Sequence, residues 1–212
     1  MQTYSHFILT GALNGRFGSQ LRAKAKNLPP LHSGALLLGS ILPDLPLITI
    51  SIITIGYDLL AGNFANGALG PESPAGSSIT QKLFDVWFYE NPWVITAQNL
   101  FHSPLLLTVF ILIGLWAYRQ GQRWGGVFFW LTAGCMLHTL IDIPLHANDG
   151  PLLLYPLNWT LRFQSPISYW DPNYYGREWS IFEHLLDLVL LIYLFFRYRS
   201  AWRGRFSFRL RR

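Results

Sequence analysis

The stretch from Trp124 to Leu145 is uncharged except near its end, where the run His138-Thr139-Leu140-Ile141-Asp142-Ile143-Pro144-Leu145-His146 brings in imidazoles and a carboxylate. A stretch of this kind is close to the roughly 20 residues that a bilayer core demands. On a helix His138 and Asp142 are four apart, share one face and point into the same space. An ionisable group at membrane depth is costly unless it faces a bundle interior with a partner or a metal, and it then marks a functional site. The same run also suits a hydrogen-bonded His-Asp pair closing a buried helix end.

Three further segments have spanning character: Ser33 to Tyr57, with Asp44 its only charge; Phe101 to Tyr118, with none; and Ile181 to Phe196, with Glu183 and Asp187 near its start. The whole chain of 212 residues is 51% hydrophobic and only 13% charged. That is about half the charged share of a soluble domain. The expected fold is therefore all-α: an integral membrane helical bundle of about four transmembrane helices plus a short N-terminal helix within Met1 to Gly15. Residues 1–200 form one membrane-embedded domain and 201–212 a basic tail. The N-terminus has no basic flank before an apolar run and does not read as a cleavable signal peptide. The single cysteine, Cys135, excludes an internal disulfide framework and reads as a small core residue.

Basic residues supply an orientation. With four spans, thirteen of the 16 lysines and arginines fall on one side and three on the other. The basic side, with both termini, should be cytoplasmic in a plasma or inner membrane. Every carboxylate lies between Asp44 and Glu90 or between Asp142 and Asp187, which places the candidate chemistry toward the extracytoplasmic side. The tail from Arg197 to Arg212 alternates arginine with Trp202, Phe206, Phe208 and Leu210, a pattern suited to anionic lipid headgroups rather than to nucleic acid.

The two acidic-side loops, roughly Asp58 to Leu100 and Ala147 to Ser180, are long enough to carry function. Gly62 to Ser78 is rich in Gly, Ala, Ser and Pro and reads as mobile. Trp159, Phe163, Tyr169, Trp170, Tyr174, Tyr175 and Trp179 form either an interfacial aromatic belt or the wall of a site for a lipid-like substrate.

Polar residues recur at intervals in this apolar chain: His6, Asp44 between Pro43 and Pro46, His102 before Ser103, and the pair His138 and Asp142. The flanking prolines should break the helix and leave Asp44 at a turn inside the bundle. Histidine and aspartate from several elements are the usual ligands of zinc, manganese or iron. Glu183, His184 and Asp187 in the last helix are accounted for by a first turn near the aqueous interface.

In the order Thr3 to His6, Gly39 to Asp44, His102-Ser103, His138 to Asp142, Leu145-His146 and Gly150 to Pro156, these motifs resemble the YdjM-like membrane-bound metal-dependent hydrolases. That family is in turn similar to the zinc-dependent phospholipase C and single-strand nuclease superfamily. The resemblance implies His6, Asp44, His102, His138 and Asp142 as metal ligands, with His146 as a sixth, and a divalent ion, zinc foremost with manganese or iron as alternatives. The implied activity is hydrolysis of a phosphoester or lipid-like substrate by an activated water, with Asp142 bridging ions and His146 or Asp149 moving the proton. A non-enzymatic membrane protein, such as an assembly factor or a metal or proton carrier, is the competing class; it would use the same cluster for binding alone.

Overall fold

A computed structural model describes residues 1–24, 27–63 and 78–209, with side chains between 15 and 24 and beyond 199 outside the description. The glycine-rich stretch expected to be mobile falls mostly outside the described residues.

The helices are α1 (Thr3–Lys24), α2 (Ser33–Gly39), α3 (Leu45–Leu60), α4 (Ile79–Lys82), α5 (Phe88–Glu90), α6 (Pro92–Asn99), α7 (Pro104–Arg119), α8 (Arg123–Asp142) and α9 (Gly176–Arg209). A π turn, Leu83–Trp87, joins α4 to α5. Among the described residues no strand forms; Leu152 and Arg162 make one isolated antiparallel bridge. The all-helical expectation holds.

The number of spans does not. Arg123–Leu145 and Gly176–Arg199 are long and apolar enough to cross a membrane, and α6 with α7 makes a third if their 48° bend is taken as a break in one span. Ser33 to Tyr57 is not one helix. The chain turns at Ser40 to Asp44, Pro46 sits in the first turn of α3, and the 7-residue α2 and 16-residue α3 fall on either side. At 1.5 Å per residue α3 extends about 24 Å, short of a hydrocarbon core of about 30 Å. The N-terminal helix is longer than expected, at 22 residues.

Small residues set the packing. A Cβ on Gly39 would lie 2.0 Å from the Leu131 carbonyl oxygen, and one on Gly134 would lie 2.3 Å from that of Leu36, so α2 and α8 touch backbone to backbone. Gly114 and Gly125 give α7 and α8 the same intimacy. Close approach through small residues is the main means of helix association where lipid removes the hydrophobic drive. Trp130 fastens the preceding loop, its indole N–H shared between the Pro29 and Pro30 carbonyls at 3.2 and 2.9 Å. The outward face of α9 carries Ile181, Leu185, Val189 and Phe195, each more than half exposed, as expected where lipid is the solvent.

Helix α1 runs parallel to α9. Gln2 N–H donates to Glu183, the Ser5 hydroxyl to Asp187, and a Cβ on Gly11 would touch Leu194. Glu183 and Asp187 are buried at 1% and 6% exposure and belong to this seam, so the interfacial explanation from sequence is corrected. The first turn of α1 lies at the His/Asp cluster, with His6 Nε2 2.9 Å from Asp142.

Candidate metal centre

Three segments deliver the cluster. Asp44 stands in the turn before α3, His102 in the corner between α6 and α7, and His138 and Asp142 on the last turn of α8. Asp44, His102, His138 and Asp142 each offer one ligand atom, and these atoms all lie within 4.8 Å of one another. His102, His138 and Asp142 are buried, at 5%, 1% and 2% exposure.

Asp142 is the hub. Its Oδ2 is 3.0 Å from His138 Nε2 and 3.3 Å from His102 Nε2. Its Oδ1 is 2.9 Å from both His6 Nε2 and the Met1 amine. The His6 ring stacks on His138 with centroids 3.7 Å apart. His6 thus lies beside the cluster, on the opposite oxygen of Asp142 from His102 and His138.

The tautomer of His138 follows from its other nitrogen. Nδ1 is 2.8 Å from the Ser40 carbonyl oxygen, which only accepts, so Nδ1 carries the proton. Nε2 then faces Asp44 Oδ1 at 3.3 Å and Asp142 Oδ2 at 3.0 Å, without forming a hydrogen bond to either. Two carboxylates around one buried imidazole nitrogen call for positive charge between them, supplied by a proton on Nε2 or by a cation. A cation there would take Nε2 as a ligand, and a backbone carbonyl on the far nitrogen is the usual support of a metal-ligating histidine. His102 Nδ1 and His6 Nδ1 are likewise buried and unpartnered. The donor set, two imidazoles and two carboxylates, fits a divalent ion such as zinc, manganese or iron.

Asp44 is prepared for the same task. Burial alone would raise its carboxyl, but the close approach of His138 Nε2 and the positive charge carried by His138 and His102 hold it down to about 2. The Thr3 hydroxyl donates to its Oδ2 at 2.5 Å, another tie from α1. Burial pushes the His6 imidazole below its ordinary value, against the opposing pull of Asp142.

His146 and Asp149 are not gathered into the group of four. His146 Nδ1 donates to the Asp142 carbonyl at 2.9 Å, leaving Nε2 available, and its ring lies 5.0 Å from that of Tyr169. Asp149 Oδ2 accepts from the Trp170 indole at 2.7 Å. Both line a cavity of about 640 Å³ whose wall also includes Asp44, His102, Tyr169 and Trp170. Part of the aromatic loop is thus a wall of this cavity.

Two contributors escaped the sequence reading. Asn99 is fully buried; its amide donates to Ile95 O and accepts from Leu152 N, and its carbonyl receives the His102 and Ser103 N–H groups. Ser103 in turn donates to the Tyr155 carbonyl at 3.0 Å. These bonds fix the corner that presents His102. The position of Asn99 three residues before His102 was the available signal, since a buried amide can satisfy a helix end. The Met1 amine was the other.

A family model described as YdjM inner membrane protein matches residues 1–204. No curated protein and no solved structure matches the chain. The wider likeness to the phospholipase C superfamily therefore rests on the motifs alone.

Proposed function

The chain belongs to the YdjM inner membrane protein family, and from that premise we propose that it is a membrane-embedded metal-dependent hydrolase. The observation that carries the reading is the buried, unpartnered Nε2 of His138 facing two carboxylates, beside a cavity that reaches Asp44 and His102. Asp44, His102, His138 and Asp142 would hold the ion. Zinc suits the mixed nitrogen and oxygen set best, with manganese or iron as alternatives.

A divalent ion in this set supplies Lewis acidity to a water and to the scissile phosphoryl or acyl oxygen. The protein's own groups do the rest. His146, its Nδ1 proton committed to the Asp142 carbonyl, presents Nε2 as a base for that water. Asp149 is the weaker candidate for this step because it accepts the Trp170 N–H.

The substrate class is a lipid-like or lipid-linked ester or phosphoester, since apolar side chains such as Leu47, Phe84 and Phe88 line the same cavity as the ligands. Binding without turnover, the competing class, calls for a closed ligand set; the cavity at Asp44 and His102 supports the enzyme. The proposed topology places the basic C-terminal end on the cytoplasmic side, against anionic headgroups.

Elemental mass spectrometry on detergent-purified protein tests this. Stoichiometric metal in the wild type, lost in a folded His138→Ala/Asp142→Ala double variant, supports the metal centre on which the hydrolase reading rests. Equal sub-stoichiometric metal in both removes it and leaves a structural polar pair.

A further inference from the structure

The aromatic loop after α8 is held in place by its own polar groups. It is stitched to the 3₁₀ turn Ile143–Leu145, which continues the chain directly past Asp142. The Ser165 hydroxyl donates to the Pro144 carbonyl at 2.6 Å, and the Tyr169 N–H donates to that of Leu145 at 2.9 Å. Ser168 is fully buried; its N–H donates to the Tyr174 carbonyl at 2.8 Å, and its hydroxyl accepts the Asp171 N–H at 3.1 Å. Bonds of this kind satisfy the buried polar groups of the loop and leave its backbone one position. Tyr169 is thereby set beside His146, ring against ring.

That packing accounts for the ring of Tyr169 but not for its hydroxyl. The hydroxyl has no hydrogen-bond partner among the described residues, although the residue is half-buried and lines the cavity that reaches Asp44 and His102. Burial first, and then the negative charges of Asp142, Asp44, Asp149 and Glu183, raise this phenol above its ordinary value. It therefore keeps its proton and stands as a donor. Charge acts more strongly at short range, and the two charges that act most on this phenol, Asp142 and Asp44, belong to the ligand set. Tyr89, the other phenol of the wall, is acted on by Asp149, Arg162 and Asp85 instead. Tyr169 thus carries the wall hydroxyl nearest the ligands. Neither lysine nor arginine lines the cavity, and the Trp170 indole N–H is bound to Asp149. Negative charge developing on an oxygen in this cavity calls for a neutral donor in the wall.

We propose that the Tyr169 hydroxyl donates a hydrogen bond to an oxyanion held at the ligand set, and that this oxygen is the one that gains charge as water attacks the phosphoryl or acyl centre. The catalytic role rests on the hydrolase reading; the oxyanion contact does not. Such a hydrogen bond is weak to a neutral ester oxygen and strong to a charged one, so it favours the transition state over the bound substrate. The stitched loop supplies the preorganisation that an oxyanion donor needs. No proton leaves the phenol: it begins and ends protonated, while His146 takes the proton of the attacking water.

Tyr169→Phe removes the hydroxyl and keeps the ring against His146, so it separates donor from wall. Isothermal titration of the full chain, zinc-loaded in nanodiscs and corrected for empty discs, uses two probes of the charged centre: orthovanadate for a phosphoryl group and octylboronic acid for an acyl group. The probe that the wild type binds should weaken about tenfold or more in Tyr169→Phe, with zinc content and unfolding temperature unchanged, and Tyr89→Phe should leave its affinity unaltered. Equal affinity in Tyr169→Phe and wild type overturns the proposal, as does an equal loss in Tyr89→Phe, a loss of zinc in Tyr169→Phe, or a zinc-loaded wild type that binds neither probe. Turnover of bis(p-nitrophenyl) phosphate and p-nitrophenyl octanoate by the same samples separates the two ideas. Probe binding that depends on Tyr169, without turnover of either ester, fails the hydrolase reading alone. Turnover that is lost in His138→Ala/Asp142→Ala but equal in Tyr169→Phe and wild type fails the assignment of Tyr169 alone.

Discussion

Two fully buried carboxylates near the ends of apolar helices, Asp58 on α3 and Asp142 on α8, have opposite surroundings. Asp58 accepts from Asn63 Nδ2 at 2.8 Å, the Ser78 hydroxyl at 2.8 Å, Ile79 N at 3.0 Å and Thr80 N at 2.8 Å. Among the described residues, every partner is a neutral donor. Asp142 meets two imidazoles on one oxygen and a third with an amine on the other, and a second carboxylate shares its His138. Burial of charge is common to both, so burial does not mark the function. What marks it is the kind of partner: Asp58 meets neutral donors, while Asp142 meets imidazoles that each retain an unpartnered nitrogen.

Substitution at the two carboxylates should separate them most sharply. Asp142→Asn should lower zinc affinity at least about 100-fold, read by titration of chelator-treated protein, while Asp58→Asn should leave it unchanged. Comparable losses at both sites would erase the distinction. Next in size, Gly134→Ala should drive α2 from α8 and with it the turn bearing Asp44; overpacking of this kind costs about 1–3 kcal/mol, read by thermal unfolding in detergent. Asp58→Asn should cost about as much, because it disturbs an acceptor of several buried donors.

The Asp58 effect has a defined pH dependence. Burial alone would raise its carboxyl, but the hydrogen bonds from Asn63, Thr80 and Ser78 hold it well below the usual carboxylate range. A carboxyl depressed in the folded state contributes stability that is fully present above its unfolded value, about 4, and is lost as pH falls through the folded value. The gap in unfolding temperature between wild type and Asp58→Asn should therefore stay constant from pH 7 to about 5 and narrow on further acidification. A gap that already closes between pH 7 and 5 would contradict this. The smallest effect is at Asn99→Ala, which loosens the corner holding His102 and should weaken zinc about tenfold without unfolding the protein.

The sequence makes the cluster legible because charge is expensive in apolar surroundings: His102, His138 and Asp142 stand out against their neighbours, and the prolines around Asp44 announce its turn. The closed partner set of Asp58 was not legible, since Ser78 and Thr80 lie some twenty residues on and nothing local links them. The division of Ser33 to Tyr57 was half legible. Pro43 and Pro46 signal a break, but apolar composition alone continues through it, and only the helix lengths show that neither piece spans. Glu183 and Asp187 were misjudged because their partners, Gln2 and Ser5, are backbone and hydroxyl groups at the other end of the chain. Nothing in local pattern distinguishes such a residue from one facing water.

X-ray absorption at the zinc edge of purified, zinc-loaded protein tests the metal centre most directly. The expected spectrum shows a mixed nitrogen and oxygen shell at about 2.0–2.1 Å with the outer-shell scattering of two imidazoles, lost in His138→Ala/Asp142→Ala. An oxygen-only or sulfur-containing shell, or one that the double variant leaves intact, would contradict it.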